Sequence, residues 1–385
     1  MQEDYVIDLL RRLVAVDSTL PHEEDLALLI ADEILSFGVE PVLEEVAPGR
    51  PNVYASIPFG TAERFLVMSG HSDTVPAVSE WETDPFTLTE YDGRFHGLGV
   101  INMKSGLACM LAAFKHFCEL PADHTPKGRL GIAITVDQEG LSIGADALMN
   151  TEFGKCHAMI HGEHFHGTSK TDYIPSSGTG KILYRLNVTG RAAHALRPHE
   201  GGINAIDDAA RIITALDQLE LKYDSSFGKG TYCTLRIEGG SPTYAVVVPD
   251  TCTVLITRLT VPGESRDYLL NDMERLIKSL DLKSRIVIET PPPCYESYTL
   301  DLDSDIVRVF ADSYESISGK KPLFAPHRGI TDANIFTGTG GIPTVVFGPK
   351  GGLHHRAGEY VEIDSILPTT EIYIDTAKKY LRLLG

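Results

Sequence analysis

The sequence predicts an α/β chain into which a smaller α+β domain is inserted. Three observations carry that prediction. Up to His161, apolar segments of helical period alternate with short runs that are nearly all apolar, the pattern of strands covered on both faces. From about Gly180 the texture changes to the strict alternation of a half-exposed strand. After Pro291-Pro292-Pro293 the first pattern resumes. At about 150 residues per domain, 385 residues allow two or three domains.

The elements follow in order. Val6, Leu9, Leu10, Leu13 and Val14, then Leu26, Leu29, Ile30 and Ile34 before Gly38, mark two amphipathic helices. NVYASI (52–57) and FLVMSG (65–70) read as strands, Ser105 to about Leu120 as a long helix, and LGIAITV (130–136) and HAMIH (157–161) as further strands. ILYRLNVTG then alternates, a helix is expected over 203–219, and β-runs surround 231–237 and 251–259. A helix near 266–280 and the strand RIVIE complete a β-α-β-β-α-β order, that of a split-βαβ, ferredoxin-like unit. A helix, the strand TVVF (344–347) and a terminal helix return to the first domain. The predicted division is 1–179 with 292–385, and 180–291 as the insertion.

Lys plus Arg total 34 against 53 Asp plus Glu, a formal charge of -19. That charge repels phosphate backbones and anionic membrane surfaces, so neither nucleic acid nor membrane is an expected partner. The six cysteines lie far apart without a CxxC pair, which excludes a zinc finger and a dense disulfide framework. No stretch of about 18 apolar residues occurs. A soluble, cytoplasmic protein is the expectation.

Polar residues stand directly after the apolar strands: His71 and Asp73 after FLVMSG, Asp137, Gln138 and Glu139 after LGIAITV, and Glu163 after HAMIH. His354 and His355 follow TVVF by a short loop. Ligands of open α/β sheets bind outside the carboxyl ends of the strands, so these side chains are expected to converge. Imidazole with carboxylate is a ligand set for zinc, manganese or cobalt. No GxSxG elbow surrounds Ser105 or Ser176-Ser177, which argues against a serine hydrolase.

GHSDTVP, DGRFHGLG, NMKSG, DQEG, GE at 162–163, GRAAHALRPHEGGINAI, VVPD, TDAN and GPKGGLHHRAGEYV occur in the order of the metallopeptidase M20 family, which the chain resembles over nearly its whole length. The resemblance implies a zinc-peptidase-like sheet with a ferredoxin-like lid or dimerisation domain. It implies one or two divalent ions (zinc, manganese or cobalt) and a homodimer formed through the insertion. His71 and Glu163 would bind one metal, with Asp73 orienting the His71 ring; Glu139 and His355 would hold the second, and position 102 would bridge the two. His194 would stabilise an oxyanion. Arg258 and Asn204 would bind a small carboxylate-bearing substrate whose carbon–nitrogen bond is cleaved.

Two positions depart from the family pattern. Asn102 stands where the family has a bridging Asp, and Gln138 where it has the general-base Glu. Asn102 offers one neutral oxygen in place of two anionic ones. Gln138 cannot accept a proton, and loss of such a base costs about a hundred- to ten-thousandfold in rate. Three readings stay open: a divergent hydrolase in which another residue, His164 or His166 among the candidates, shares the lost role; a relative that binds but does not hydrolyse; and an engineered base-to-Gln variant of a hydrolase.

Overall fold

The computed structural model describes residues 2–59, 64–120, 128–163, 173–241, 243 and 245–382. The chain forms two compact units. The first comprises Met1–Ser176, Leu300–Ala325 and Thr331–Gly385; the second comprises Ser177–Thr299 and Pro326–Ile330.

A six-stranded sheet organises the first unit. Its strands lie in the order Val42–Ala47, Arg50–Phe59, Gly128–Thr135, Phe65–His71, Ala158–His161, Thr344–Val346. The first two pair as an antiparallel hairpin edge, and the last four run parallel. Every residue of Phe65–His71 and of Ala158–His161 is buried. Successive strand side chains point to opposite faces, so both faces of these strands are covered. Burial of Leu66, Val67 and Met68 contributes about 1.5–3 kcal/mol each.

Helices Gln2–Val14, Ser105–Cys118, Asp305–Ser318 and Ile363–Tyr380 share the apolar core with the sheet. Gly106 lets Ser105–Cys118 approach the end of Ala158–His161: a Cβ there would lie 2.0 Å from the Gly162 carbonyl oxygen. The glycine therefore fixes helix start and strand end against each other, beside two of the predicted site residues. A second small sheet orders Gly351–Gly352, Tyr360–Glu362, Arg94–His96 and Thr89–Tyr91. Its pairing of Tyr360 with His96 and Glu362 with Arg94 joins the loop carrying His355 to the segment leading to Asn102.

The second unit is a four-stranded antiparallel sheet, ordered Thr231–Gly239, Thr251–Thr260, Gly180–Thr189, Arg285–Glu289, packed with helices Ala205–Thr214 and Arg266–Ser279. The chain order is β-α-β-β-α-β, as the sequence predicts. The helix expected over 203–219 is shorter: Asn204 caps it through its side-chain oxygen, and a tight turn, Leu216–Gln218, follows. No helix among the described residues is long and apolar enough to cross a membrane.

Candidate active site

Four parallel strands deliver polar residues to the same end of the sheet. His71 closes its strand and is 1% exposed. Its Nδ1 lies 2.9 Å from the Asp73 carbonyl oxygen and 3.4 Å from Asp73 Oδ1, which fixes the ring and leaves Nε2 facing the cluster. The Asp73 carboxylate also accepts from the backbone N–H groups of Gln138 (3.0 Å) and Glu139 (2.8 Å). One buried carboxylate thus ties the ends of two adjacent strands together.

Asn102 sits in a turn that Glu359 holds. Glu359 Oε2 accepts from the Gly99 N–H (3.0 Å), and Oε1 accepts from those of Ile101 (2.9 Å) and Asn102 (3.1 Å). Burial nevertheless pushes Glu359 up to about 7 against these three donors. The Asn102 amide spans the cluster. Its Oδ1 is 3.1 Å from His71 Nε2, its Nδ2 donates to Glu139 Oε1 at 2.5 Å, and Nδ2 lies 3.1 Å from His355 Nε2. His355 Nε2 is itself 3.0 Å from Glu139 Oε1.

Gln138 belongs to a second, more buried arrangement. Its Nε2 donates to Glu163 Oε1 (2.8 Å), and its Oε1 accepts from the Asp332 N–H (3.3 Å) and lies 3.0 Å from His161 Nε2. His161 Nδ1 is 3.1 Å from Ser69 Oγ, and His161 Nε2 is 3.3 Å from Glu163 Oε2. Sequence reasoning missed His161. Its signal is its place as the last residue of HAMIH, two before Glu163. Asp332, also missed, lies in TDAN; its Oδ2 accepts from Thr135 Oγ1 (3.0 Å).

The electrostatics follow from burial and pairing. Burial disfavours the His71 cation, yet Asp73 and Glu163 overcome it and hold His71 well above its usual range. Burial alone would raise Asp73 and Glu163, but the neighbouring histidines hold both below the ordinary carboxylate range. His355 is raised by its hydrogen bond to Glu139. Asp332 is pushed up to about 6 by burial.

The remaining described candidates belong to the second unit. His194 is exposed in the second unit, and Asn204 is the helix cap described above. Arg258 requires a correction, because it is wholly buried within the second unit. Nη1 donates to Asp272 Oδ2 (2.7 Å), and Nη2 donates to Glu264 Oε1 (2.6 Å) and the Glu220 carbonyl (3.0 Å). Taking the guanidinium from these carboxylates to bind a substrate would leave two buried charges unpaired, a cost of about 3–5 kcal/mol. His164 and His166 lie outside the described residues.

The sequence pattern of peptidase family M20/M25/M40 matches residues 67–379. The chain belongs to this family. It stands accordingly among the hydrolases acting on carbon–nitrogen bonds. A succinyl-diaminopimelate desuccinylase of Methylorubrum extorquens (strain PA1) is 28% identical over 388 residues, covering 97% of this chain and 98% of that one. Among solved structures, the aminopeptidase PepT from Bacillus cereus matches with a TM-score of 0.74 at 22% identity, over 98% of both chains. A Bacillus subtilis M20 peptidase described as binding a dinuclear metal matches with a TM-score of 0.71 at 15% identity, over 100% of this chain and 99% of that one. These structural likenesses show the M20 fold.

The donor set of this M20 chain divides into two halves about the Asn102 amide. On one side, His71 Nε2 lies 3.8 Å from Glu163 Oε1 and 3.1 Å from Asn102 Oδ1. Donors sharing one ion tetrahedrally, with bonds of about 2.0–2.3 Å, stand about 3.3–3.7 Å apart, a span that these two separations bracket. On the other side, Glu139 and His355 face the Asn102 N–H2, which has no lone pair to give a metal. Among the described residues no three His, Cys, Asp or Glu side chains group to hold a metal ion. His71 with Glu163, and Glu139 with His355, would each need the amide oxygen as a third donor.

Proposed function

We propose that this M20 chain is a metal-dependent amidohydrolase that cleaves an amide or related carbon–nitrogen bond of a small carboxylate-bearing substrate. The observation that carries the proposal is the convergence of His71, Asn102, Glu139, Glu163 and His355 at one end of the sheet in a chain of this family. Its relatives are named for removal of a succinyl group, an acyl group that bears a carboxylate.

His71 Nε2, Glu163 and Asn102 Oδ1 would hold a divalent cation of zinc, manganese or cobalt, which supplies Lewis acidity to a scissile carbonyl and to water. Asp73 presents the Nε2 lone pair by accepting a hydrogen bond from Nδ1–H at its own carbonyl oxygen. Gln138 takes no proton, and its carbonyl oxygen is already engaged by His161 and the Asp332 N–H. In its neutral form His355, beside Glu139 and with its side chain 47% exposed, would accept the proton in its stead at the ring nitrogen that carries no hydrogen. His194 is assigned to the oxyanion and Asn204 to substrate binding on the family pattern. Arg258 is left out because its charge is engaged in the core.

A homodimer through the second unit accompanies this reading. Thr231–Gly239 is an edge strand, and it exposes Leu235 and Ile237. Light scattering that finds a monomer rejects that part. A cytoplasmic location accords with six cysteines that form no disulfide.

The experiment is a screen of N-acyl amino acids, succinyl amides and ureido acids. Turnover should be abolished by a chelator and restored by manganese, zinc or cobalt. Turnover that persists in fully metal-free protein defeats the metal-dependent reading. No turnover by the unaltered chain, with activity appearing on Asn102→Asp and Gln138→Glu, makes it a binding relative.

A further inference from the structure

We infer that the centre is built for one divalent cation per chain, and that the Asn102 amide nitrogen takes the place of the second by donating to Glu139, the carboxylate that His355 also contacts. This rests on the metal-dependent reading above and names its stoichiometry.

Asn102 and Gln138 are placed alike. Each turns its N–H2 toward a carboxylate, Glu139 for Asn102 (2.5 Å) and Glu163 for Gln138 (2.8 Å). Each turns its carbonyl oxygen toward a histidine, His71 for Asn102 (3.1 Å) and His161 for Gln138 (3.0 Å). A carboxylate at either position would set oxygen against oxygen at these distances unless a cation or proton lay between them. The amide supplies the missing positive end from its own N–H, so Glu139 Oε1 and Glu163 Oε1 each have a donor without a metal, while the buried Glu163 Oε2 accepts no hydrogen bond and is left for a cation.

Turning the Asn102 amide over still leaves one half of the cluster without a ligand oxygen. An amide has one acceptor atom, and the two halves of the cluster lie on its two ends. Reversing it would give the oxygen to Glu139 and His355 and the N–H2 to His71 and its neighbours. Either way one half receives a donor in place of a ligand. The observed orientation leaves the oxygen with His71, whose side also holds the more deeply buried Glu163.

Charge leads to the same count. Replacing two carboxylates by two amides removes two negative charges, the amount that balances one dication. A second ion at Glu139 and His355 would be held by one carboxylate and one imidazole, without an anionic bridge. Gln138, although it is not a ligand here, removes the other charge from the adjoining arrangement around Glu163.

The test is metal stoichiometry, read by elemental mass spectrometry and equilibrium dialysis on the full chain loaded with zinc, and by electron paramagnetic resonance on the chain loaded with manganese. The expected result is about one ion per chain, without the spectrum of two coupled manganese ions. Glu163→Gln should drop occupancy at least tenfold, His355→Ala should leave it near one, and Asn102→Asp should raise it toward two. Thermal unfolding of each variant checks folding, and the unaltered chain alone decides the count. Two tightly held ions in the unaltered chain overturn the inference while leaving the amidohydrolase reading standing. Loss of the ion in His355→Ala but not in Glu163→Gln overturns it also. One ion per chain with no turnover of any amide upholds the inference and defeats the proposed function.

Discussion

Gln138 Nε2 donates a hydrogen bond to Glu163 Oε1 at 2.8 Å, inside a cluster where Gln138 and Glu163 are both largely shielded from water. The contact needs an amide, since only the amide brings a donor to that oxygen.

Gln138→Glu should therefore destabilise the metal-free protein. Two carboxylates would share the space of one hydrogen bond, and the lost donor is worth about 1–3 kcal/mol. Urea unfolding at neutral pH should show the loss, and protonation near pH 4.5 should recover most of it. A variant as stable as the unaltered chain at neutral pH would show that the contact is dispensable.

Asp332 gives a pH dependence of defined sign. Its folded pKa of about 6 lies above the ordinary 3.8, so between these values the folded state holds a proton that the unfolded chain releases. Stability falls as pH rises through this window, and above about 6 a penalty on the order of 3 kcal/mol persists. Asp332→Asn should remove that slope while keeping an acceptor for Thr135. Parallel stability curves for metal-free Asp332→Asn and the unaltered chain between pH 4 and 7 would contradict it.

Arg258 separates a structural from a substrate role. Arg258→Ala should lower unfolding stability by about 3–5 kcal/mol, because it strands Glu264 and Asp272 in the core of the second unit. A well-folded Arg258→Ala protein with unchanged stability and a raised KM would restore Arg258 to the substrate site.

Gly106→Ala tests how the helix start supports the site. A methyl group there meets the Gly162 carbonyl oxygen at 2.0 Å, and relieving that overlap moves either Ser105–Cys118 or the strand end that carries Glu163. The expected cost is about 1–3 kcal/mol in stability, with weaker zinc binding. Unaltered zinc affinity in a destabilised Gly106→Ala protein would confine the effect to packing.

Local elements were legible because their signals are short-ranged. The alternation that marks 180–189 and 251–260 as half-buried strands is a property of neighbouring residues, and the observed burial follows it position by position. That same period carried information about Arg258 which the resemblance obscured. Arg258 is in phase with Cys252, Val254 and Ile256, all of them buried, so strand geometry turns it into the core. His161 was overlooked because a histidine ending an apolar strand carries no local sign of its partners. Those partners come from Ser69, Gln138 and Glu163, on other strand ends and the following turn.

The sequence by itself determined the α/β class, the β-α-β-β-α-β order of the second unit, the strand ends that bear polar residues, and the amides at 102 and 138. Tertiary structure decided what those amides do. Asn102 meets Glu139 across 37 residues and His355 across 253, and Glu359 fixes its turn from 257 residues away. An amide is a donor at one end and an acceptor at the other, so its effect on a metal centre depends on which neighbours each end faces. Those neighbours are set by parallel strand pairing and by the small sheet that joins Tyr360 to His96. Periodicity along the chain carries no record of them.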